Sequence, residues 1–461
     1  MRFALLCFLL ALQGQGVAGQ IEKAVADAKL KDAKIGIVVR SVKAGRVLFQ
    51  REEGEALTLA SNTKLLTTSC ALAKLGADYR FKTTVGLVGE ELHVFGGGDP
   101  NISGRDHGDD PTAIFKGWAK KLTEAKVAKI AALVLHPDFF DRVELHPDWI
   151  AAKYDQDAWW CAPVGALSLN DNCVDLLYEA GEKAGDPVKI TVRPATKYVT
   201  LTNKATTVAS TPKPFGFVRK NGTNEIIANG ELQVGTKQRT AWVAIQGPAD
   251  YFGAVLKETL EQAGIAVGEV KLATGLVKDF PQLKVVAVHE STLARTVQVC
   301  NTVSQNFYAE MICKLLGATV GAEGSSAAGT AVVKEWLKGV GIADAELADG
   351  SGLSRKDQCS VASLVKLLAW WRSQKEFKPF VESLPASGTD PGTLKRRMVS
   401  IQGKVRAKTG HISGVSALSG YVETESGDTM VFSIVVNGGA SGAADRLQDA
   451  ICEILAKAKG D

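Results

Sequence analysis

The sequence predicts an α+β protein that carries a large inserted region, and three observations point there. Short apolar runs bounded by turn residues, at 35–50 and again at 415–436, read as antiparallel strands. Segments of good helix formers stand beside them at 61–75 and 443–458. Between Ser61 and the next block of chemistry-bearing residues, at Ser304, lie 243 positions, far more than a helical connection needs. A separately folded region therefore interrupts the first.

A chain of 461 residues suits about two to four domains. With 46% hydrophobic and 23% charged residues it can bury a substantial core, which excludes wholesale disorder and a multi-span membrane protein. Lys and Arg number 54 against 50 Asp and Glu, and the net charge of +4 is spread without a basic block, so no nucleic-acid partner is expected.

At the N-terminus Arg2 precedes an apolar run over 3–12, then small and polar residues ending in Val17-Ala18-Gly19. This reads as a secretory signal peptide over residues 1–19, with a periplasmic or otherwise extracytoplasmic protein starting near Gln20. The run is too short to span a bilayer, no later stretch reaches ~18 apolar residues, and no transmembrane anchor is expected. Cys7 follows Leu6 where lipidation needs a small residue. The other cysteines are Cys70, Cys161, Cys173, Cys300, Cys313, Cys359 and Cys452, an odd set without C-x-x-C spacing that reads as small core residues. The histidines form no H-E-x-x-H, the His-Pro-Asp triplets at His136 and His146 read as loop turns, and neither metal nor cofactor is expected.

The runs 35–39 and 47–49, joined by Lys43-Ala44-Gly45, form a hairpin signal. Ala60-Ser61-Asn62-Thr63-Lys64-Leu65 then opens a helix closed by Gly76. Three residues' separation lays Lys64 one turn beyond Ser61, where a lysine of lowered pKa can take the hydroxyl proton. Alone, S-x-x-K is a weak signal. Ser304-Gln305-Asn306, leading into a helix-like segment, and Lys408-Thr409-Gly410, before strand-like runs at 415–422 and 430–436, complete the S-x-x-K, S-x-N, K-T-G set in order.

With these, Gly97-Gly98-Asp99-Pro100, Ala166-Leu167-Ser168-Leu169-Asn170-Asp171-Asn172, Asp349-Gly350-Ser351-Gly352-Leu353-Ser354-Arg355 and Gly392-Thr393-Leu394 complete the pattern. Over almost the whole mature chain the sequence resembles the D-Ala-D-Ala carboxypeptidase/endopeptidase family of low-molecular-weight penicillin-binding proteins, the class C group. The resemblance implies a penicillin-binding-protein/serine β-lactamase-like catalytic domain, a helix cluster on a five-stranded antiparallel sheet, from residues 20–82 and 283–461. The inserted mixed α/β region then covers 83–282, with a nested β-rich part near 180–230.

The resemblance also implies roles. Ser61 attacks the carbonyl of the penultimate D-alanine, Lys64 accepts its proton, and Ser304 relays a proton to the leaving amine with Lys64 or Lys408. Asn306 binds the substrate amide, Thr409 and Gly410 belong to the strand alongside the peptide, and the backbone N–H groups of Ser61 and His411 form the oxyanion hole. Peptidoglycan stem peptides are the implied substrates and β-lactam antibiotics the acylating inhibitors. His411 departs from the usual Thr or Ser, either as an adapted contact to the substrate carboxylate or as a tolerated replacement. Pro391 is an extra residue in its turn. Asp155, Trp160 and Arg355 match positions lining a pocket for the stem-peptide diamino acid, a carboxylate suiting an ammonium and a guanidinium a carboxylate. Lys395-Arg396-Arg397 reads as a solvated helix face, and 443–458 as an amphipathic helix on the sheet. A class A β-lactamase is disfavoured because Ala166 replaces the glutamate of E-x-x-L-N. A non-catalytic cell-wall binding protein has no need of all five motif side chains.

Overall fold

The computed structural model describes residues 16–276 and 280–459, so residues 1–15 of the expected signal peptide lie outside it. The chain divides into two compact units. One takes the chain as far as Asp78, then Leu293–Cys313 and everything from Gly329 on; the other takes Tyr79–Thr292 and Lys314–Ala328.

In the first unit the labelled helices are α1 (Val17–Asp27), α2 (Thr63–Leu75), α3 (Leu293–Thr302), α4 (Asn306–Thr319, in this unit as far as Cys313), α5 (Val361–Trp371) and α6 (Ser441–Ala456). Its strands are β1 (Lys34–Ser41), β2 (Val47–Arg51), β3 (Val405–Ile412), β4 (Val415–Glu423) and β5 (Thr429–Asn437). They form one sheet in the order β3-β4-β5-β1-β2, antiparallel throughout, as the resemblance implied. The β1–β2 hairpin pairs Val39 with Phe49 across the expected turn. Helices α1 and α6 cover one face, joining Ile21, Ile451 and Leu455 to Ile37, Leu418 and Phe432 in one apolar cluster. Helix α5, capped by the Ser360 hydroxyl, packs on the other. Cover on both faces explains why β5 is buried continuously from Met430 to Val436 rather than alternately.

Helix α2 runs through the interior: every residue from Thr63 to Leu72 is buried. Gly76 ends it with φ 81°, a conformation open to glycine at little cost. Trp371 of α5 fixes it by donating to the Ser69 hydroxyl at 2.6 Å.

The second unit holds a mixed five-stranded sheet of Ala266–Leu272, Lys129–His136, Glu91–Phe95, Arg80–Val88 and Lys284–Thr292, with helices Ala113–Glu124 and Pro248–Gln262 contributing to its core. A three-stranded antiparallel sheet follows, of Arg239–Ala244, Cys173–Glu179 and Lys189–Arg193. Short strands between 200 and 233 close over a small cluster of Val188, Ala205, Ala228 and Leu232.

Three local expectations need correction. Residues 395–397 are not helical; Lys395 and Arg396 are exposed, as expected, but Arg397 is mostly buried and bonds Asp449 (2.8 Å) and Gln448 (3.0 Å) of α6, so pairing rather than solvation accounts for it. His136 ends a buried strand with its ring 4.1 Å from that of Phe95, rather than sitting in a loop. His146 caps the short helix Pro147–Ala151, accepting from the Asp148 N–H. The seven cysteines from Cys70 to Cys452 are all buried, as core residues should be.

Candidate active site

Ser61 does not open α2 itself. It lies in a tight 3-10 turn, Ala60–Asn62, immediately before it, with Ala60 at φ 46°. The turn faces β3: a side chain at Gly410 would stand 3.0 Å from the Ser61 nitrogen and 2.9 Å from the Leu59 carbonyl, so the third residue of K-T-G must be glycine. Gly352, at φ 83°, is pressed in the same way against the Ala60 carbonyl. Asn62 completes the junction by donating to the Lys408 carbonyl at 3.1 Å.

The motif side chains meet in one hydrogen-bond network. Lys64 Nζ lies 2.8 Å from Ser61 Oγ, 2.6 Å from Asn306 Oδ1 and 2.8 Å from the Ser351 carbonyl. Lys408 Nζ donates to Ser304 Oγ and to the Thr409 carbonyl, each at 2.8 Å. Asn306 is the first residue of α4, while Ser304 occupies the bend between α3 and α4 with a left-handed φ of 61°. A non-glycine residue held there is strained, as residues at functional sites often are.

Both lysines are fully buried, which disfavours their charged forms. Burial brings Lys64 down to about 8, against the upward pull of Cys300, Asp349 and Glu310. Lys408 is pushed well below the usual lysine range by burial and then by the neighbouring charge of Lys64. At neutral pH about one Lys64 in ten is then neutral, against roughly one in a few thousand for a free lysine. The arrangement thus supplies a base at the serine hydroxyl and a second lysine–serine pair beside it.

His411 is an exposed residue of β3. Its Nε2 lies 2.8 Å from Asp445 of α6, and Ser416 Oγ donates to the same carboxylate at 2.7 Å. Although burial pushes Asp445 up, the hydrogen bonds from His411 and Ser416 hold it below the usual carboxylate range. Thr409 donates to Thr393 at 2.8 Å. Arg355 is exposed and donates to the Ser413 carbonyl in the first unit. Asp155 and Trp160 belong to the second unit. Asp155 borders a cavity of about 280 Å³ with Tyr178, Phe215, Phe217 and Trp242, whereas Trp160 packs edge-on against Tyr154. Sequence reasoning missed the Ser351 carbonyl, Asn62 and Asp445. The first lies inside the Asp349–Arg355 block, the one signal that marked it.

A buried lysine bonded to a serine one turn away, with a second serine–lysine pair alongside, is an arrangement suited to acyl transfer. The chain belongs to the D-Ala-D-Ala carboxypeptidase 3 (S13) family, whose profile matches residues 17–458. A D-alanyl-D-alanine carboxypeptidase from Actinomadura sp. is 34% identical over 95% of this chain and 84% of its own length. Penicillin binding protein 4 from Haemophilus influenzae shares the fold, with a TM-score of 0.79 at 21% identity over 95% of this chain and 99% of that one. The same protein complexed with a β-lactam matches at 0.74 and 20% identity, over the same shares.

Proposed function

We propose that the chain cleaves D-alanyl-D-alanine termini, or the related cross-links, of peptidoglycan stem peptides through an acyl-enzyme on Ser61, and that β-lactams acylate the same hydroxyl. The observation that carries this reading is the 2.8 Å contact between Lys64 Nζ and Ser61 Oγ in a fully buried setting. In acylation the Ser61 Oγ–H bond breaks, the proton passes to Lys64, and the oxygen bonds to the carbonyl carbon. The backbone N–H groups of Ser61 and His411 receive the charge that builds on the carbonyl oxygen. As the C–N bond breaks, Ser304, held by Lys408, gives its hydroxyl proton to the departing amine and takes one back from Lys64 or Lys408, and water then releases the acyl group. Asn306, whose oxygen is engaged by Lys64, offers its amide N–H groups to the substrate.

The catalytic role falls to the first unit, with the inserted region as a separate fold. Asp155, Trp160 and Arg355 are carried in the same proposal as selectors of a diamino acid side chain. No helix among the described residues is long and apolar enough to cross a membrane. The signal-peptide pattern over residues 1–19 is what supports an exported enzyme at the cell wall.

Labelling with a fluorescent penicillin, followed by mass spectrometry of the modified peptide, tests the assignment alongside release of D-alanine from an acyl-D-Ala-D-Ala peptide. Wild-type protein should carry one label, on Ser61, and Ser61→Ala should lose both labelling and peptidase activity while melting normally. Stoichiometric labelling of the alanine variant would sink the proposal.

A further inference from the structure

The Asp349–Arg355 block performs no chemical step above, yet it delivers a carbonyl to the base. A neutral amine has two N–H hydrogens and one lone pair. Around Lys64 Nζ the Ser351 carbonyl and Asn306 Oδ1 can only accept, so they take both hydrogens and leave the lone pair facing Ser61 Oγ, the one partner with a proton to give. Where the lone pair points therefore depends on where the Ser351 carbonyl is held.

Three buried carboxyl groups hold it. Asp349 accepts from the backbone N–H groups of Ser351 (3.0 Å), Gly352 (2.7 Å) and Ser354 (2.7 Å). Asp357 accepts from those of Ala348 (2.6 Å) and Asp349 (3.3 Å). Glu310, reaching across from α4, accepts from the Gly350 N–H at 2.9 Å, and Thr67 of α2 closes the turn by donating to the Gly350 carbonyl at 2.8 Å. The ionisable groups acting on Lys64 are Cys300, Asp349, Glu310 and Asp357, and Lys64 in turn acts on the buried Lys408. Burial, and then the charge of Asp349, push the Glu310 carboxyl up out of the usual range; burial and Asp349 do the same to Asp357. Unlike Asp357, Glu310 belongs to the helix that also presents Asn306, so one helix braces two of the three groups around Lys64.

We propose that Glu310 is a positioning residue for acylation: its carboxyl anchors the turn that aims Lys64 at Ser61, and in its ionised form, the form that a positive charge on Lys64 favours, it stabilises the ammonium Lys64 becomes on taking the serine proton. This rests on the Ser61–Lys64 chemistry proposed above. An ammonium formed in a buried site without a counter-charge is costly, and the carboxyl sits where that charge appears.

Two variants separate anchoring from charge. Glu310→Gln keeps an acceptor for the Gly350 N–H and removes the charge. Its penicillin acylation rate, followed across the neutral and alkaline range, should have a rising limb about one pH unit lower than wild type, because a negative neighbour no longer holds the proton on Lys64. Its plateau should fall about tenfold, since a less basic amine is a weaker general base. Glu310→Asp keeps the charge but shortens the reach, so its limb should stay in place while the rate drops about tenfold at every pH. A purely structural role would lower the rate without moving the limb. Either an unmoved limb in folded Glu310→Gln or an unaltered rate in Glu310→Asp overturns the proposal, and the aspartate variant still decides if the glutamine one does not fold. Wild-type protein that takes no label at Ser61 would instead remove the acylation reading itself, which keeps the two failures apart.

Discussion

In the first unit Lys64 and Lys408 are buried among hydroxyls and carbonyls; in the second, His93 and His136 are buried among rings. His93 Nδ1 and His136 Nε2 stand 3.0 Å apart, and Phe95 and Phe280 pack around the pair. Burial lowers the proton affinity in both places. It brings His136 down to about 4, helped by His93, and it also lowers His93. The consequences differ because of what lies within reach. Beside Lys64 a hydroxyl stands ready to lose a proton and a second lysine–serine pair can pass one on. Between the histidines a proton can be shared, with the Glu91 carboxylate 3.6 Å from His93 Nε2, and among the described residues no serine, threonine or cysteine hydrogen-bonds either ring. A shifted basic group becomes a catalyst only when a nucleophile shares its hydrogen bond.

The comparison breaks most sharply if Lys64 is dispensable. Lys64→Met should lower penicillin acylation by about 10²–10⁴-fold with the fold retained, measured as labelling rate against the melting curve. A loss below tenfold would place the base elsewhere.

A smaller but more diagnostic effect lies in the pH profile of the wild type. Acylation should rise about tenfold per pH unit below the Lys64 value and level off above about 8, because the neutral amine is the active form. A profile already flat from acid to neutral pH would mean that the ammonium is not what limits the rate.

For the histidine pair the expected change is in stability alone. The folded-state value of His136 is depressed, so its contribution is complete above the unfolded value near ~6.5 and is lost as pH falls through that value toward about 4, where only the unfolded chain readily takes a proton. His136→Gln should therefore lose less melting temperature than wild type between neutral pH and about 4.5, with unchanged labelling. A kinetic defect in that variant would erase the contrast between the two clusters.

The smallest effect is expected at His411. Its Nε2 bonds Asp445, so its side chain ties β3 to α6. His411→Thr should change the acylation rate by less than about threefold while lowering the melting temperature slightly, in keeping with an exposed charged contact. A larger kinetic loss would return the imidazole to the substrate.

Much of this centre was legible in the chain itself. Side chains that do chemistry must be of particular types, so Ser61, Lys64, Ser304, Asn306 and Lys408 stand out by identity and order, and Gly410 by the close approach it permits. The antiparallel strands follow from apolar runs separated by turns, and α2 from its helix formers and Gly76. What the sequence could not reveal are partners whose identity is not in the side chain, or whose contact spans a long stretch of chain. The Ser351 carbonyl is a backbone group that every residue owns, and only the fold brings it 2.8 Å from Lys64. Glu310 and Asp445 are ordinary helix residues by pattern. They gain their roles because α4 and α6 pack where Gly350 and His411 arrive, 40 and 34 positions away in sequence. Composition and periodicity determine which faces are buried, but which buried groups meet across a core is settled only by close packing of the whole chain.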